Sequence, residues 1–352
     1  MMKQELIKRA IAYALNRGIP FFAYKLPNTS ECNFGAQIDA RFSCDDGFYI
    51  HPFFCNDRYQ AKTIYQQLNA ADFNDICSNT NAHNPGYFNC ETIDDCGTCY
   101  ETYIDSIKNT LDYIKSGIAN KIVISRTIVK KHAFDANYWG DLFFRLAAKH
   151  PQAFVFVFSS EETGAWIGAT PEILGTYSNP IFQTMALAGT RRCTSADIEW
   201  SKKDIEEQGY VVDYIKRTIQ SSGFCYKISD TFNKNAGIIE HLCNTFTVES
   251  DSILKIKSLL NKLHPTPALA GLPKDVAINC IRKTEKHDRE YYGGYIGPFT
   301  ATEFNYFVNL RSMKFDSQKF KLYVGGGIVK GSIPEEEWIE TDNKSQTLLS
   351  CM

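Results

Sequence analysis

The apolar positions of this chain change period several times, and each change predicts an element. Between Met1 and Asn16, Leu6, Ala10, Ile11, Ala14 and Leu15 recur at helical spacing around Lys8 and Arg9, the pattern of an amphipathic helix. Runs rich in β-branched and aromatic residues predict strands at Pro20–Leu26, Gly47–Phe54, Lys121–Arg126 and Ala153–Ser159, and a hairpin-like region over Ala165–Thr184. Helices are predicted at about Thr98–Ser116, Trp139–Lys149, Asp204–Gln220 and Pro273–Thr284. The third carries its acidic residues early and Val211, Val212 and Ile215 behind them. Strand-like runs follow at Gly293–Phe299, Asn305–Phe315 and Lys319–Val324, whereas the Asn-rich stretch Asn69–Asn89 reads as a loop. Strands and helices cluster instead of alternating, which favours an α+β layered architecture with antiparallel pairing.

Composition narrows the function. With 352 residues and 44% hydrophobic content the chain can bury a substantial core. A formal net charge of −2 provides no basic field, so no nucleic-acid or anionic-membrane partner is expected. No apolar run approaches the ~18 residues of a membrane span, and charges interrupt the first helix as they would not in a secretory segment. The expectation is a soluble, cytoplasmic protein. Its 12 cysteines are scattered over a chain too long to need disulfide staples. Cys90, Cys96 and Cys99 stand closer together, and Cys96-Gly-Thr-Cys99 has metal-knuckle or redox spacing. No second such pair follows, so free thiols are expected.

The densest chemistry lies near the C-terminus. Gly325-Gly-Gly327 reads as a glycine turn, Ser332 and Pro334 as a helix cap and opening, and Glu337 and Glu340 as neighbours on one helix face. Such a pair either complements the helix dipole or is held by a cation, and oxygen-only ligands favour magnesium or calcium. Asp204 and Glu207 repeat the three-residue spacing near another helix start, so two acidic faces are placed to close around one ion. Glu172 follows Pro171 and is expected to be held in place. Lys121 opens a strand, and Arg311 interrupts one; a guanidinium there needs a carboxylate partner. The glycines are not followed by the GK[ST] of a nucleotide-binding loop.

Taken together, Lys121-Ile-Val-Ile-Ser-Arg126, Gly168-Ala-Thr-Pro-Glu172, Leu187-Ala-Gly-Thr-Arg-Arg192, Leu263-His-Pro-Thr-Pro-Ala-Leu-Ala-Gly271, Arg289-Glu-Tyr-Tyr-Gly-Gly294 and the glycine-to-Glu340 segment with Lys344 resemble the chorismate-utilising enzymes. The resemblance is to the isochorismate synthases of menaquinone or siderophore synthesis. It runs from about Pro20 to the C-terminus and is strongest from Lys121 onward. It implies one chorismate-binding domain over 1–352 of the anthranilate synthase component I-like fold: two facing antiparallel sheets flanked by helices. Residues 1–100 are the less typical part and 101–352 the catalytic core. Lys121 is implied as the general base that activates water and Glu172 as the general acid. Glu207 and Glu340 are implied as direct Mg2+ ligands, with Asp204 and Glu337 acting through water. Asp204 stands where the family usually has glutamate. Gly189, Arg311, Gly325 and Lys344 are implied around the substrate carboxylates, with Tyr292 a further candidate.

Subtype rests on single positions. Anthranilate-forming relatives usually carry glutamine in place of Lys121, and an amide cannot act as a base toward water. That also leaves no glutaminase partner expected. Aminodeoxychorismate-forming relatives often have a lysine nucleophile in place of Ala188. Salicylate-forming relatives typically have threonine where Ala268 stands. The expected activity is therefore Mg2+-dependent isomerisation of chorismate; salicylate formation and chorismate or metal binding without turnover are the alternatives. Hydroxide leaves only if protonated, so Glu172 has to retain its proton near neutral pH, which burial favours.

Overall fold

Ile7, Ala10, Ile11, Ala14 and Leu15 are all buried on the first helix, α1 (Met2–Arg17), as the N-terminal periodicity predicts. The computed structural model describes residues 2–78, 88, 92–192, 199–236 and 239–352. After α1 come β1 (Phe21–Lys25), β2 (Cys32–Ala36), β3 (Gly47–His51), β4 (Lys62–Tyr65), α2 (Ala70–Ser78) and α3 (Tyr100–Lys115). Next are β5 (Lys121–Lys131), α4 (Ala136–Lys149), β6 (Phe154–Ser160), β7 (Gly164–Thr170), β8 (Ile173–Ser178), β9 (Ile181–Arg192) and α5 (Lys202–Ser221). They are followed by β10 (Lys227–Ile228), β11 (Phe232–Ala236), β12 (Ile239–Glu249), α6 (Ile253–Leu263), β13 (Gly271–Leu272) and α7 (Lys274–Thr284). The chain closes with β14 (Tyr295–Phe299), β15 (Glu303–Val308), β16 (Ser312–Phe315), β17 (Lys319–Val329) and α8 (Pro334–Leu349).

These strands form two antiparallel sheets. One has the order β13-β5-β17-β16-β7-β6-β1-β2, the other β10-β12-β9-β8-β15-β14-β3-β4 with β11 paired to β12. An aromatic seam joins them: Phe154 of the first sheet stacks on Phe307 of the second with ring centroids 4.1 Å apart, and Phe22 stacks on Phe48 at 5.2 Å. Every residue of β6 is buried, as a strand covered on both faces requires. Outside the first sheet, α1 and α4 share a core built on Trp139, Leu142 and Phe143. Helices α3, α5, α6 and α7 pack into a third cluster with residues of both sheets. Two facing antiparallel sheets flanked by helices is the α+β arrangement expected from the sequence.

Several local expectations need correction. Gly325, Gly326 and Gly327 form no turn; they continue β17 and pair with Ser125, Ile124 and Val123 of β5. Ser332 does not cap α8: Ile333 holds the cap position without a side-chain bond, and the Ser332 hydroxyl accepts the Val329 N–H at 3.2 Å. Pro334 does open the helix. Asn69 starts a helix where a loop was expected, its Oδ1 accepting from the N–H groups of Ala71 and Asp72 at 2.9 and 3.1 Å. The polar faces of α2 hid its period, and residues 79–87 and 89–91 lie outside the described residues. The run Asn305–Phe315 is two strands in different sheets, because the chain turns at Arg311 (φ 49°). Likewise Ala165–Thr184 is no single hairpin: β7 belongs to the first sheet, while β8 and β9 belong to the second.

Candidate active site

Where the chain passes between sheets, side chains from both gather. Glu172 lies in such a crossing, between β7 and β8, and its carbonyl accepts the Val308 N–H at 2.9 Å, which fixes its backbone as Pro171 suggested. Strands β8 and β9 pair only from Thr176↔Gln183 to Ser178↔Ile181. Beyond that short ladder Glu172–Leu174 and Thr184, Met185 and Leu187 line a pocket, with Val211 and Ile215 of α5 and Thr266 and Ala268 completing its wall. Burial pushes the Glu172 carboxyl up to about 7, against the opposing charges of Lys121 and Lys234.

Lys121 sits at the first residue of β5, opposite Val329. Its Nζ lies 2.6 Å from Glu207 Oε1, both side chains being largely buried. Gly327 makes room for it: a Cβ there would come within 2.8 Å of Lys121 Cε. A Cβ at Gly326 would likewise meet Glu337 Oε2 at 2.9 Å. The glycines are therefore needed for space beside β17, with no turn required.

A second group lies along α8. Lys344 Nζ donates to the Gly325 carbonyl at 2.8 Å and pairs with Glu340 Oε1 at 2.5 Å. Arg311 touches the helix through one Nη, which donates to the Lys344 carbonyl at 3.1 Å and to Thr347 Oγ1 at 3.0 Å. Burial lowers its pKa, while Tyr292 and Glu340 pull it back, so all three lie within electrostatic reach. Tyr292 is buried and stacks on Tyr323 at 5.3 Å; burial raises its hydroxyl to about 12.

The acidic pairs behave unequally. Asp204 is tied into the cap of α5, its carboxylate accepting the Ser201 hydroxyl at 2.5 Å while Ser201 Oγ accepts the Asp204 N–H at 3.2 Å. Gly189 packs beside it with φ 66°, where a Cβ would lie 3.2 Å from Asp204 Cβ. Glu207 and Glu340 each face a lysine. Glu337 Oε2 is buried with no hydrogen-bond partner, and burial raises its carboxyl, the Ser332 hydroxyl opposing and Glu340 adding to the shift. Among the described residues no three acidic, Cys or His side chains stand close enough to cage an ion. Asp204 and Glu207 of α5 and Glu337 and Glu340 of α8 thus supply four carboxylates from two helices. Their hard oxygen donors and the unsatisfied Glu337 oxygen fit a divalent cation of the Mg2+ type.

Two groups lay outside the sequence expectations. Glu285 and Arg289, both 3% exposed, form a buried pair at 2.6 Å. Glu285 accepts from Ser125 N–H and hydroxyl at 2.6 and 2.9 Å, and Arg289 donates to the Val123 and Leu269 carbonyls at 2.7 and 3.1 Å. The pair ties the Lys121 strand to the loop carrying Ala268, and its i,i+4 spacing was the available signal. His264 is buried beside His51 without a hydrogen bond to its ring nitrogens, and burial holds its pKa well down, so it serves the loop's packing. Lys234, on β11, is the other. Cys96 and Cys99 are exposed free thiols, Cys99 preceding α3 at its cap, and Cys90 lies outside the described residues. No helix among the described residues is long and apolar enough to cross a membrane.

Residues 41–352 match the family described as chorismate binding enzyme. The isochorismate synthase MenF of Haemophilus influenzae is 27% identical over 260 residues, 71% of this chain and 60% of that protein. The isochorismate synthase EntC of Escherichia coli K12 is 31% identical over 245 residues, 66% of this chain and 62% of that protein. The chain thus aligns with about three fifths of the length of these relatives. Among solved structures, MenF, the menaquinone-specific isochorismate synthase from Escherichia coli, superposes with a TM-score of 0.79 at 20% identity, covering 97% of this chain and 90% of that one. At that identity the likeness shows the fold alone.

Proposed function

Because this chain belongs to the chorismate-binding enzyme family, we propose that it is a magnesium-dependent isochorismate synthase that adds water at C2 of chorismate and expels the C4 hydroxyl. The observation that carries this reading is the company of Glu172. Its carboxyl, raised to about 7, keeps a substantial protonated fraction near neutral pH and shares its surroundings with Lys121. Lys121 takes the proton from the incoming water, and Glu172 gives its proton to the departing hydroxyl. Lys121 has to be neutral to accept that proton, which desolvation favours, so the site has to become largely dry when substrate is bound.

Arg311, Lys344, Tyr292 and the backbone at Gly189 and Gly325 orient the substrate, with Ala268 against its ring. Glu207 and Glu340 would hold the cation directly, Asp204 and Glu337 through water. The cation would supply positive charge to neutralise the ring carboxylate. Residues 1–352 act as one catalytic domain, since both sheets supply site residues. The relatives' names support a product destined for menaquinone or siderophore synthesis, made by a cytoplasmic enzyme without a glutaminase subunit.

The test is incubation of purified protein with chorismate and Mg2+, with and without EDTA, followed by chromatographic separation of products. Isochorismate that depends on the cation, with little pyruvate, is the expected result. Salicylate with equimolar pyruvate would move the protein to the lyase branch, and no turnover would favour a binding-only relative.

A further inference from the structure

We propose that the Tyr103 hydroxyl is the hydrogen-bond donor that positions Glu337 for the cation, an assignment that rests on the role proposed above for that carboxylate. Tyr103 lies near the start of α3, which packs against α8 and against β5 and β17. It is fully buried, and its hydroxyl has no hydrogen-bond partner. Glu337 Oε2 is likewise buried and unpartnered. Both groups border Gly326 of β17: a Cβ there would lie 2.9 Å from Glu337 Oε2 and 4.0 Å from the Tyr103 hydroxyl, with Glu340 Oε1 also at 4.0 Å.

Two orphaned polar atoms, one able to donate and one to accept, thus face the same space. A phenol O–H donates and an ionised carboxylate only accepts, and each is costly to leave buried alone. Burial and the Glu337 charge both raise the Tyr103 hydroxyl, so it keeps its proton and stays a donor. The cations nearby are committed elsewhere. Arg126 stands 3.6 Å from the Trp338 ring centroid, donates to Thr341 Oγ1 at 2.7 Å and pairs with Asp342, while Lys344 pairs with Glu340.

Successive residues of a strand point to opposite faces. Gly327 opens toward Lys121, and Gly326 opens toward Tyr103 and Glu337. Tyr103 therefore acts on α8 from the far side of β17, without touching the base. Its ring lies edge-on to that of Trp338, the neighbour of Glu337, with centroids 5.8 Å apart. The phenol is thereby fixed against the turn of α8 whose carboxylate it would hold. A carboxylate acting on a cation needs its free oxygen held to stay oriented, and such outer partners contribute to metal affinity. Tyr103 is a positioning residue in this sense.

The experiment titrates cation-free protein with Mn2+, substrate absent, counting the free ion by electron paramagnetic resonance. Wild type, Tyr103→Phe, Glu337→Met and the double variant are compared. Tyr103→Phe is expected to weaken Mn2+ binding roughly 10-fold, as loss of an outer partner does. Its melting temperature without cation should equal or exceed that of wild type, because an orphaned hydroxyl has been removed. In the Glu337→Met background the same change should have no further effect. Equal Mn2+ binding by wild type and Tyr103→Phe overturns the proposal. So does an equal loss in both backgrounds, or a loss accompanied by a lower cation-free melting temperature, which is packing damage. Product analysis on the wild type is scored separately. If chorismate is not converted while Tyr103 and Glu337 remain coupled in Mn2+ binding, the proposed activity fails and this assignment stands; conversion with the two residues uncoupled does the reverse.

Discussion

Lys121 Nζ and Glu207 Oε1 stand 2.6 Å apart, joining the first residue of β5 in one sheet to the first turns of α5, which packs on the other. The candidate base and a candidate cation ligand thus neutralise each other across the two halves of the fold. Lys121→Gln should keep this hydrogen bond but lose the base. Turnover is expected to fall about 10²- to 10⁴-fold, the usual share of general base catalysis, with circular dichroism unchanged. Near-normal isochorismate formation by this variant would remove Lys121 from the mechanism.

Glu172 sets the pH dependence. With its carboxyl raised to about 7, the active protonated form is lost as pH rises through neutrality, and the rate should drop about tenfold per unit on the alkaline side. The same shift affects stability. The unfolded carboxyl ionises near the model value of 4.5 and the folded one only near 7, so stability declines as pH rises between these values. The penalty above that window is on the order of 3 kcal/mol. Glu172→Gln should be inactive yet more resistant to urea at pH 8, with no such gain at pH 4; equal midpoints at pH 8 would contradict the raised pKa.

Gly327 tests whether the glycine segment supplies space. An alanine Cβ would meet Lys121 Cε at 2.8 Å and has to push the ammonium aside. A shift of about 1 Å at a reacting group costs about 10²-fold in rate. Gly327→Ala should therefore lower kcat by that order while melting near the wild-type temperature. A large stability loss with normal kcat in the folded fraction would assign the glycine to sheet packing instead.

Arg289 is expected to dominate stability rather than charge at the site. Its partner Glu285 is 3% exposed, so Arg289→Met leaves a buried carboxylate uncompensated, at a cost of about 3–5 kcal/mol. Urea unfolding measures this, and adding Glu285→Gln to Arg289→Met should recover part of the loss. Absence of any recovery would mean that the lost bonds to the Val123 and Leu269 carbonyls, not the orphaned charge, account for the effect.

What could be read locally was read from the chain alone. The periods of α1 and α5 and the apolar runs of β5 and β6 are set by residues close in sequence, because one-sided burial imposes a repeat on its own segment. The family motifs likewise brought Lys121, Glu172, Glu207 and Glu340 forward without coordinates. Other features depended on the path of the whole chain. Gly325–Gly327 became strand because β5, some 200 residues earlier, offers a ladder, and a local reading cannot weigh a partner so distant. Arg311 meets Lys344 and Thr347 of α8 because β15 and β16 part into different sheets there. Only the pairing of β11 with β12, and of β12 with β9, brings Lys234 to the Met185 sulfur. Ionic partners are chosen by through-space distance, and that distance is fixed by tertiary packing.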